Sequence, residues 1–585
     1  MAFLALALAG ALWALPFVSH LHFHPIPTFH GELVAGMLGL GAVSAWLVGR
    51  GARLAILPPA AFLPVFLACL IVLQFALGRL EYAEDGVTGA LFLLWAACLV
   101  WLAAELRDRF GVERVVVVFA WCALIGALAS TAIGIFQYYA PEVIGRFAMK
   151  RMSPGIYANL GQSNHLAHQL ALGLGSLVYL AGTRRLSAAA AFFAAAPILF
   201  VVALTLSRSA WLYFIAFSIL AAFHRGRLES AEGRRLLLGS LLLLPGLAAA
   251  QLAVLLPFLQ PASHVISPMD RLFEVASGWA PRVAVWKEAW QMYASAPWIG
   301  VGFGQFAWHH FLQVSAVLAA PAPGLYDQAH NLVLQLMAEL GLFAAAATVL
   351  TAIAWVTGVL HERASPERWW VLALAAVAGI HSMLEYPLWY AYFLAVAALL
   401  AGLGDRRQML SLQVFPLRLM LVPAIATGWA LCAWLYFDYS RVEGLSFNLF
   451  TAGSGGDRMV RVRETLREAD GRSLLQPYLD LGLATAEPLG RDRLTEKLAR
   501  NTRALRFAPT REIVYRQAVL LAMDGEAEAA RSQLARAAAY YPGFLATFAR
   551  VLKELEGTDP EAIGPLLRSS EERLYESRRD AVRTN

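Results

Sequence analysis

The chain has 585 residues, of which 59% are hydrophobic and only 15% charged, and its mean hydropathy is +0.57. This composition predicts a polytopic membrane protein. The formal charge of +6 comes almost wholly from arginines, many of them in short loops between apolar segments, so it favours membrane orientation over nucleic-acid binding. The four cysteines fall inside apolar segments, which excludes a disulfide framework and a cysteine metal cluster.

The sequence predicts an all-α fold with about thirteen membrane-spanning helices, because a span needs roughly 20 mostly apolar residues. The candidate spans are residues 3–18, 31–48, 57–77, 87–104, 114–136, 164–182, 187–205, 209–224, 235–257, 331–359, 368–384, 388–403 and 416–437. Arginines occupy alternate loops, and the positive-inside rule assigns those loops to the cytoplasm. We therefore predict a membrane domain at 1–437, with a cytoplasmic N-terminus and a large outer loop at 258–330.

The first outer loops carry histidines and amides. His20, His22 and His24 alternate and could face a metal, but no cysteine or acidic pair completes a site, so we interpret them as interfacial and expect no metal or cofactor. Gln162 and Asn164 lead directly into a span, where they could hydrogen-bond a sugar or phosphate. The alternative is simple helix capping by Ser163 or Asn164.

Arg208 lies between two serines in a very short break between apolar segments, so it should stand at the outer membrane surface. An outer arginine runs against the positive-inside pattern. A guanidinium beside hydroxyl groups suits a phosphate, which it can bind through two parallel hydrogen bonds. The alternative is an interfacial arginine whose charge reaches water, and we favour the phosphate.

The outer loop 258–330 contains an amphipathic pattern and then a glycine-rich turn. Basic and aromatic residues recur every three or four positions at Arg282, Trp286, Trp290 and Tyr293. This spacing predicts a helix lying on the bilayer surface. The glycines at 300, 302 and 304 predict close backbone packing rather than a nucleotide loop, because no strand precedes them and no lysine follows.

His330 stands where this loop meets the next span, between Gln328 and Asn331. Imidazole titrates near neutral pH, so His330 is a candidate general base, and the two amides could hold its tautomer or the sugar. The alternative is that the histidine only caps the helix. Glu339, about two turns inside the span, is a functional candidate because an ionisable group at membrane depth is costly.

Glu385 and Tyr386 place an acid and a phenol at the outer end of another span, just before Pro387 breaks the helix. We take them as candidate substrate-binding residues. After residue 438 the composition becomes charged and Ala-rich, which predicts a helical domain at 438–585. The segment 518–542 is similar to one tetratricopeptide unit, and stacked neighbours are expected at roughly 470–507 and 543–575.

The order of these motifs resembles the bacterial O-antigen ligases, O-antigen polymerases and O-linked protein oligosaccharyltransferases. The resemblance runs through roughly residues 190–400 and rests on three segments, 205–211, 282–304 and 330–341. Segments 16–32, 162–164 and 381–389 and the charged tail are most similar to the protein-glycosylating branch. The amino-acid sequence around Gln162 departs from the family's usual motif, in which a proline often precedes the asparagine.

The resemblance implies metal-independent, en bloc transfer of an oligosaccharide from undecaprenyl pyrophosphate to Ser or Thr hydroxyls of a periplasmic or pilin protein. It implies a bacterial inner-membrane enzyme whose active site and tail face the periplasm. The residues suit this chemistry, with His330 as the base and with Arg208 and Arg282 on the departing pyrophosphate. A single displacement would invert the anomeric carbon.

Four alternatives stay open. Within the same class of enzyme, the acceptor could be lipid A core, or the reaction could be O-antigen polymerisation. A transporter of polyprenyl-linked glycans is a remote alternative, because the sequence shows no internal repeat and its polar groups cluster at one face. A scaffold acting through the tail would leave the outer-face arginines and histidine unexplained.

Overall fold

The computed structural model describes residues 1–49, 55–145, 147–149, 155–225, 231–261, 279–313, 325–407, 410–412, 414–451 and 456–584. Residues 262–278 and 314–324 of the predicted loop 258–330 lie outside the described residues. The described residues confirm the all-α prediction apart from one small antiparallel sheet, in which β1 (Ala55–Leu57) pairs with β2 (Leu410–Leu412).

The α-helices of the membrane part are α1 (Ala2–Ala11), α2 (Phe29–Gly49), α3 (Phe62–Ala76), α4 (Ala83–Phe110), α5 (Val112–Tyr139), α6 (Pro141–Ile144), α7 (Ser163–Gly182), α8 (Ala188–Leu204), α9 (Ser209–Arg225), α10 (Ala231–Val254), α11 (Trp279–Ser295), α12 (Phe306–Gln313), α13 (Leu332–His361), α14 (Pro366–Ser382), α15 (Ala391–Gly404) and α16 (Val414–Thr451). The tail contains α17 (Gly456–Ala469), α18 (Gln476–Ala486), α19 (Leu494–Phe507), α20 (Arg511–Met523), α21 (Ala527–Tyr540), α22 (Leu545–Glu556) and α23 (Pro560–Thr584). Short 3-10 turns occupy Leu15–Val18, Pro59–Ala61, Pro257–Leu259, Pro387–Trp389 and Pro542–Phe544.

Several of these helices are suited to a membrane. Within the described residues, seven are long and apolar enough to cross one: Phe29–Gly49, Pro59–Ala76, Ala83–Phe110, Val112–Tyr139, Ala231–Val254, Leu332–His361 and Leu419–Glu443. Four shorter apolar helices accompany them, at Ala2–Val18, Ala188–Leu204, Ser209–Arg225 and Ala391–Gly404. The chain is therefore a multi-pass membrane protein. The remaining candidate spans, 164–182 and 368–384, are the helices α7 and α14, and the count of thirteen stays a prediction.

The basic loops contact one another at one end of the helices. Arg107 at the end of α4 donates hydrogen bonds to the carbonyls of Gly402 in the last turn of α15 (3.1 Å) and of Asp405 just after it (2.7 Å). Arg235 in the first turn of α10 donates to the Gly182 carbonyl at the end of α7 (2.7 Å). Because α7 has 20 residues, its first turn lies about 30 Å from this end. Asn164 is in that first turn, so it lies at the end of the bundle opposite to Arg107 and Arg235.

Helix α13 is broken at Gly341, and the glycine-rich loop fits into the break. Gly341 has φ +80°, and the Val301 amide donates to the Ala338 carbonyl at 2.9 Å. A Cβ on Gly300 would stand 2.2 Å from the Glu339 backbone, so only glycine fits this approach. The Gln74 amide from α3 donates to the Glu339 carbonyl (2.6 Å) and accepts from the Phe303 amide (3.0 Å). The predicted close backbone packing is confirmed.

The tail packs onto the membrane part through α12. Phe311 of α12 lies in the hydrophobic core of the tail, and the Tyr540 hydroxyl donates to the His310 carbonyl at 2.9 Å. Tyr82, before α4, donates to the Asp480 carboxylate at 2.9 Å. Helix α16 runs through the predicted boundary at residue 438, and both that division and the tetratricopeptide-like character of the tail stay predictions.

Candidate active site

Four side chains from three distant parts of the chain meet at one carboxylate. Asn164 in the first turn of α7 donates to Glu385 Oε1 at 2.8 Å, and Gln162 donates to Oε2 at 3.2 Å. Arg282 on α11 contacts Oε1 through Nη2 at 3.0 Å. The Nδ1 atom of His330 lies 2.8 Å from Oε2. Glu385 is 4% exposed, so this carboxylate is the buried centre of the cluster.

The backbone at His330 is held in an unusual conformation. Its φ is +50°, in the left-handed region that non-glycine residues adopt at a cost on the order of 1 kcal/mol. The preceding residue, Ala329, is clamped on both sides. Its carbonyl accepts the Trp286 indole N–H at 3.0 Å, and its amide donates to the Gln335 side chain at 2.6 Å. These bonds fix the direction in which the imidazole points.

Electrostatics keep Glu385 ionised. Burial acts to raise the pKa of its carboxyl, but the hydrogen bond and charge of His330 and the charge of Arg282 outweigh it and lower the pKa to about 2. An ionised carboxylate can only accept hydrogen bonds, so Nδ1 of His330 must carry the proton. The Nε2 atom of the neutral ring then keeps a lone pair. The arrangement can therefore take a proton from a hydroxyl, as a carboxylate-oriented histidine does in other enzymes.

Tyr386 and the two side-chain amides next to His330 in sequence, Gln328 and Asn331, have different surroundings. The Tyr386 ring packs edge-on against the His330 ring, with centroids 5.3 Å apart. Asn331 accepts the Leu334 amide at 3.1 Å, so the cap of α13 is Asn331 and not His330. Gln328 is buried, and its Oε1 atom has no hydrogen-bond partner among the described residues.

The α7 amides and Arg208 were also candidates. Helix α7 has no side-chain capping bond at its start, so the capping alternative for Asn164 does not describe this structure, in which Asn164 binds Glu385. Arg208 is exposed at the start of α9 and forms no ion pair with a described residue. The neighbouring hydroxyls of Ser207 and Ser209 bond to each other at 2.7 Å.

Two further roles were not evident from the sequence. Trp286 was predicted as an interfacial aromatic, but its indole N–H fixes Ala329; its position one turn after Arg282 on α11 was the available signal. Glu339 accepts the Phe306 amide at 3.1 Å and so caps α12, which is a structural task. Among the described residues, no group of three His, Cys, Asp or Glu side chains could hold a metal ion.

Two family models match long parts of this chain. Residues 190–349 match the family model described as O-Antigen ligase, and residues 369–555 match the one described as Virulence factor membrane-bound polymerase, C-terminal. The first match spans Arg208, Arg282 and His330, and the second begins before Glu385.

Two relatives from Acinetobacter baylyi are similar over most of their length. The General O-oligosaccharyltransferase is 26% identical over 69% of this chain and 70% of its own. The ComP-specific O-oligosaccharyltransferase is 24% identical over 67% of this chain and 69% of its own. The two family matches and these two relatives make the chain similar to the O-antigen ligase superfamily and to its oligosaccharyltransferase branch, and together they support a glycosyltransferase.

Proposed function

We propose that this protein is an O-linked oligosaccharyltransferase that moves a glycan en bloc from undecaprenyl pyrophosphate to Ser or Thr hydroxyls of an acceptor protein, without a metal. The observation that carries the proposal is the His330–Glu385 pair, 2.8 Å apart, with Arg282 on the same carboxylate. It combines a base for the acceptor hydroxyl with positive charge for the leaving group.

In the proposed reaction, His330 Nε2 takes the proton of the acceptor hydroxyl while its oxygen attacks the anomeric carbon. The bond from that carbon to the pyrophosphate oxygen breaks, and its electron pair leaves with the pyrophosphate, which inverts the anomeric centre. Glu385 then stabilises the imidazolium formed at His330. A guanidinium has five N–H donors, and Arg282 makes one hydrogen bond to Glu385. Its remaining N–H groups can therefore bind the phosphates. Arg208 is proposed as the second cation.

An apolar cavity supports a polyprenyl donor. It measures about 280 Å³ and lies between α3, α4, α13 and α15. Its wall includes Leu332, two residues after His330, and Leu388 and Trp389, a few residues after Glu385. We propose that the isoprenoid chain lies here with its pyrophosphate at the catalytic cluster. Gln162, Asn164, Gln328 and Tyr386 are the proposed contacts to the sugar, whereas Asn331 is proposed to act as the cap of α13. The tail is the proposed docking element for the acceptor protein.

The proposed setting is the bacterial inner membrane, with the site and the tail facing the periplasm. Arg107 and Arg235, which donate hydrogen bonds to backbone carbonyls at the opposite end of the bundle, support this orientation. Alkaline phosphatase fused after residue 450 should be active, and a fusion after Arg235 should be inactive. The reverse pattern contradicts the orientation.

The function is tested with purified protein, a lipid-linked oligosaccharide, and either a Ser-containing peptide or lipid A core as the acceptor, with EDTA present. Transfer to the peptide is expected; transfer to lipid A core alone would make the protein an O-antigen ligase.

Arg282→Lys and Arg208→Lys keep the charge but lose the planar fork, so both should lower transfer with unchanged membrane insertion. Wild-type rates in both variants would remove the arginines from the mechanism.

A further inference from the structure

A second cavity, lined by polar residues, lies where the membrane part meets the tail. It measures about 280 Å³ and joins the loop after α3, the start of α12 and the end of α19. Its chemically distinctive lining residues are Arg79, Glu81, Gln305, Trp308, His309 and Arg506. None of them belongs to the cluster around Glu385, and the mechanism above does not use this cavity.

Three polar side chains of this cavity have unused hydrogen-bonding capacity. Gln305 is only 6% exposed, yet its side-chain amide bonds to no described residue. The guanidinium of Arg79, which is exposed, and the imidazole of half-buried His309 also bond to no described residue. Buried polar groups normally have partners, because leaving them unpaired costs free energy. Donors that converge on an open volume therefore suit a polar ligand.

The cavity has a local excess of positive charge. Arg506 of the tail is paired with Glu81 at 2.7 Å, which leaves the charge of Arg79 uncompensated among the described residues. Burial, and then the charge of Arg79, lowers the pKa of His309, so its ring is neutral at pH 7 and can both donate and accept. The preferred ligand is consequently anionic and rich in hydroxyl groups.

Trp308 adds a flat apolar wall to these polar groups. Its indole is half-buried, and it packs near Phe311, with ring centroids 6.1 Å apart. An aromatic face beside fixed hydrogen-bond donors matches a pyranose ring, which has apolar faces and a polar rim. The volume is close to the lower limit of small-molecule sites, roughly 300 Å³, which suits one or two sugar units.

We propose that this cavity is a subsite for a saccharide unit that carries an acidic group. Arg79 binds the acid, Gln305 and His309 bind ring hydroxyls, and Trp308 packs against the ring. Because Arg506 comes from the tail and the other five from the membrane part, the occupied site contacts both. The inference rests on the proposed function in that the sugar would be a distal unit of the donor glycan.

The test is saturation-transfer difference NMR on the full chain in nanodiscs, with D-glucuronic acid as the probe and D-glucose as its uncharged counterpart. Glucuronate should bind more tightly than glucose. Arg79→Gln should weaken glucuronate binding roughly tenfold, because a charge-assisted hydrogen bond is lost, and should hardly change glucose binding. The matched control is Arg531→Gln, at an exposed tail arginine, which should change neither.

Equal binding of both sugars, or unchanged glucuronate binding in Arg79→Gln, overturns the proposal. Gln305→Ala and His309→Ala provide a second measurement, and each should weaken both sugars. N-acetylaspartate carries acid groups without a sugar ring, so binding as tight as that of glucuronate would also contradict a saccharide site. Sugar binding is measured without transfer: if glucuronate binding depends on Arg79 but no glycan is transferred, the proposed function fails while the subsite stands.

Discussion

Two histidine–glutamate pairs occupy neighbouring parts of this protein, and they do different work. In both, Nδ1 of the histidine contacts a carboxylate oxygen: His330 with Glu385, and His310 with Glu288. The His330 side chain is 19% exposed, whereas the His310 and Glu288 side chains are 0% and 2% exposed. An accessible imidazole can exchange a proton with a substrate, and a sealed one can only hold its neighbours together.

The surroundings of the two pairs reinforce this difference. Glu385 is bound by side chains from α7 and α11 as well as by His330. The pair of His310 and Glu288 joins α12 to α11, and the His310 carbonyl accepts the Tyr540 hydroxyl of the tail. The comparison indicates that residue type alone does not identify a catalytic pair. Access to the second ring nitrogen is the property that separates the two.

The comparison predicts that His330→Gln lowers transfer by about 10²–10⁴-fold, the usual contribution of a general base, with an unchanged thermal unfolding midpoint. Glutamine can still hydrogen-bond but cannot accept the proton at neutral pH. Glycan transfer to peptide is measured beside a thermal scan. A variant that retains most of its activity would refute the general-base role.

His310→Leu should lower the stability of the protein rather than act on catalysis directly, because it leaves the Glu288 carboxylate buried without its histidine. Breaking a buried ion pair in this way destabilises by roughly 3–5 kcal/mol. A lowered unfolding midpoint and faster proteolysis of the tail are the measurements. The double variant Glu288→Leu with His310→Leu is the control, and it should recover much of the loss. A stable single variant would show that the sealed pair does not hold the tail.

The pair of His330 and Glu385 should also make the free energy of unfolding depend on pH. The pKa of Glu385 is lowered from 4.5 to about 2, so its contribution is present above pH 4.5 and is lost as the pH falls towards 2. The loss amounts to on the order of 3 kcal/mol. Unfolding midpoints of wild type and Glu385→Gln, measured from pH 7 to 2.5, should therefore converge at low pH. Parallel curves would show that the carboxylate is not stabilised in this way.

Asn164→Ala should give a smaller effect, since one hydrogen bond to a charged group contributes roughly 1.5–3 kcal/mol. This corresponds to a fall in kcat/KM of about 10–100-fold. Gln162→Ala, which removes the longer contact of 3.2 Å, should cost less than the loss of the 2.8 Å contact. A larger loss for Gln162→Ala than for Asn164→Ala would mean that Gln162 acts mainly by contacting the substrate and not by contacting the Glu385 carboxylate.

Asn331→Ala should have the smallest effect. It removes the capping bond of α13, which is worth about 1 kcal/mol of stability. We expect a small drop in the unfolding midpoint and transfer within about threefold of wild type. A loss of transfer as large as that of Asn164→Ala would place Asn331 at the substrate, as the sequence interpretation proposed.

Local patterns in the sequence were sufficient for the helical elements and for the individual candidates at the site. Apolar runs of span length predicted the helices, since the bilayer sets their length and composition. The glycine-rich loop predicted close backbone packing, which follows from the lack of a side chain. His330, Asn164, Gln162 and Glu385 each stood out as polar groups at the end of an apolar segment, and Arg282 stood out through the spacing of its amphipathic helix.

Only the tertiary structure decided which of these residues meet. Glu385 binds partners 55, 103, 221 and 223 residues away, and such separations leave no local pattern in a sequence. The sequence interpretation gave His330 its adjacent amides as partners, but helix geometry commits Asn331 to the start of its own helix. The carboxylate that orients His330 comes instead from the turn between α14 and α15. Helix α14 packs against α7, and Arg282 on α11 bonds to Glu385 itself, so elements distant in sequence hold that turn. Backbone geometry sets local bonds, and only packing brings distant charges together.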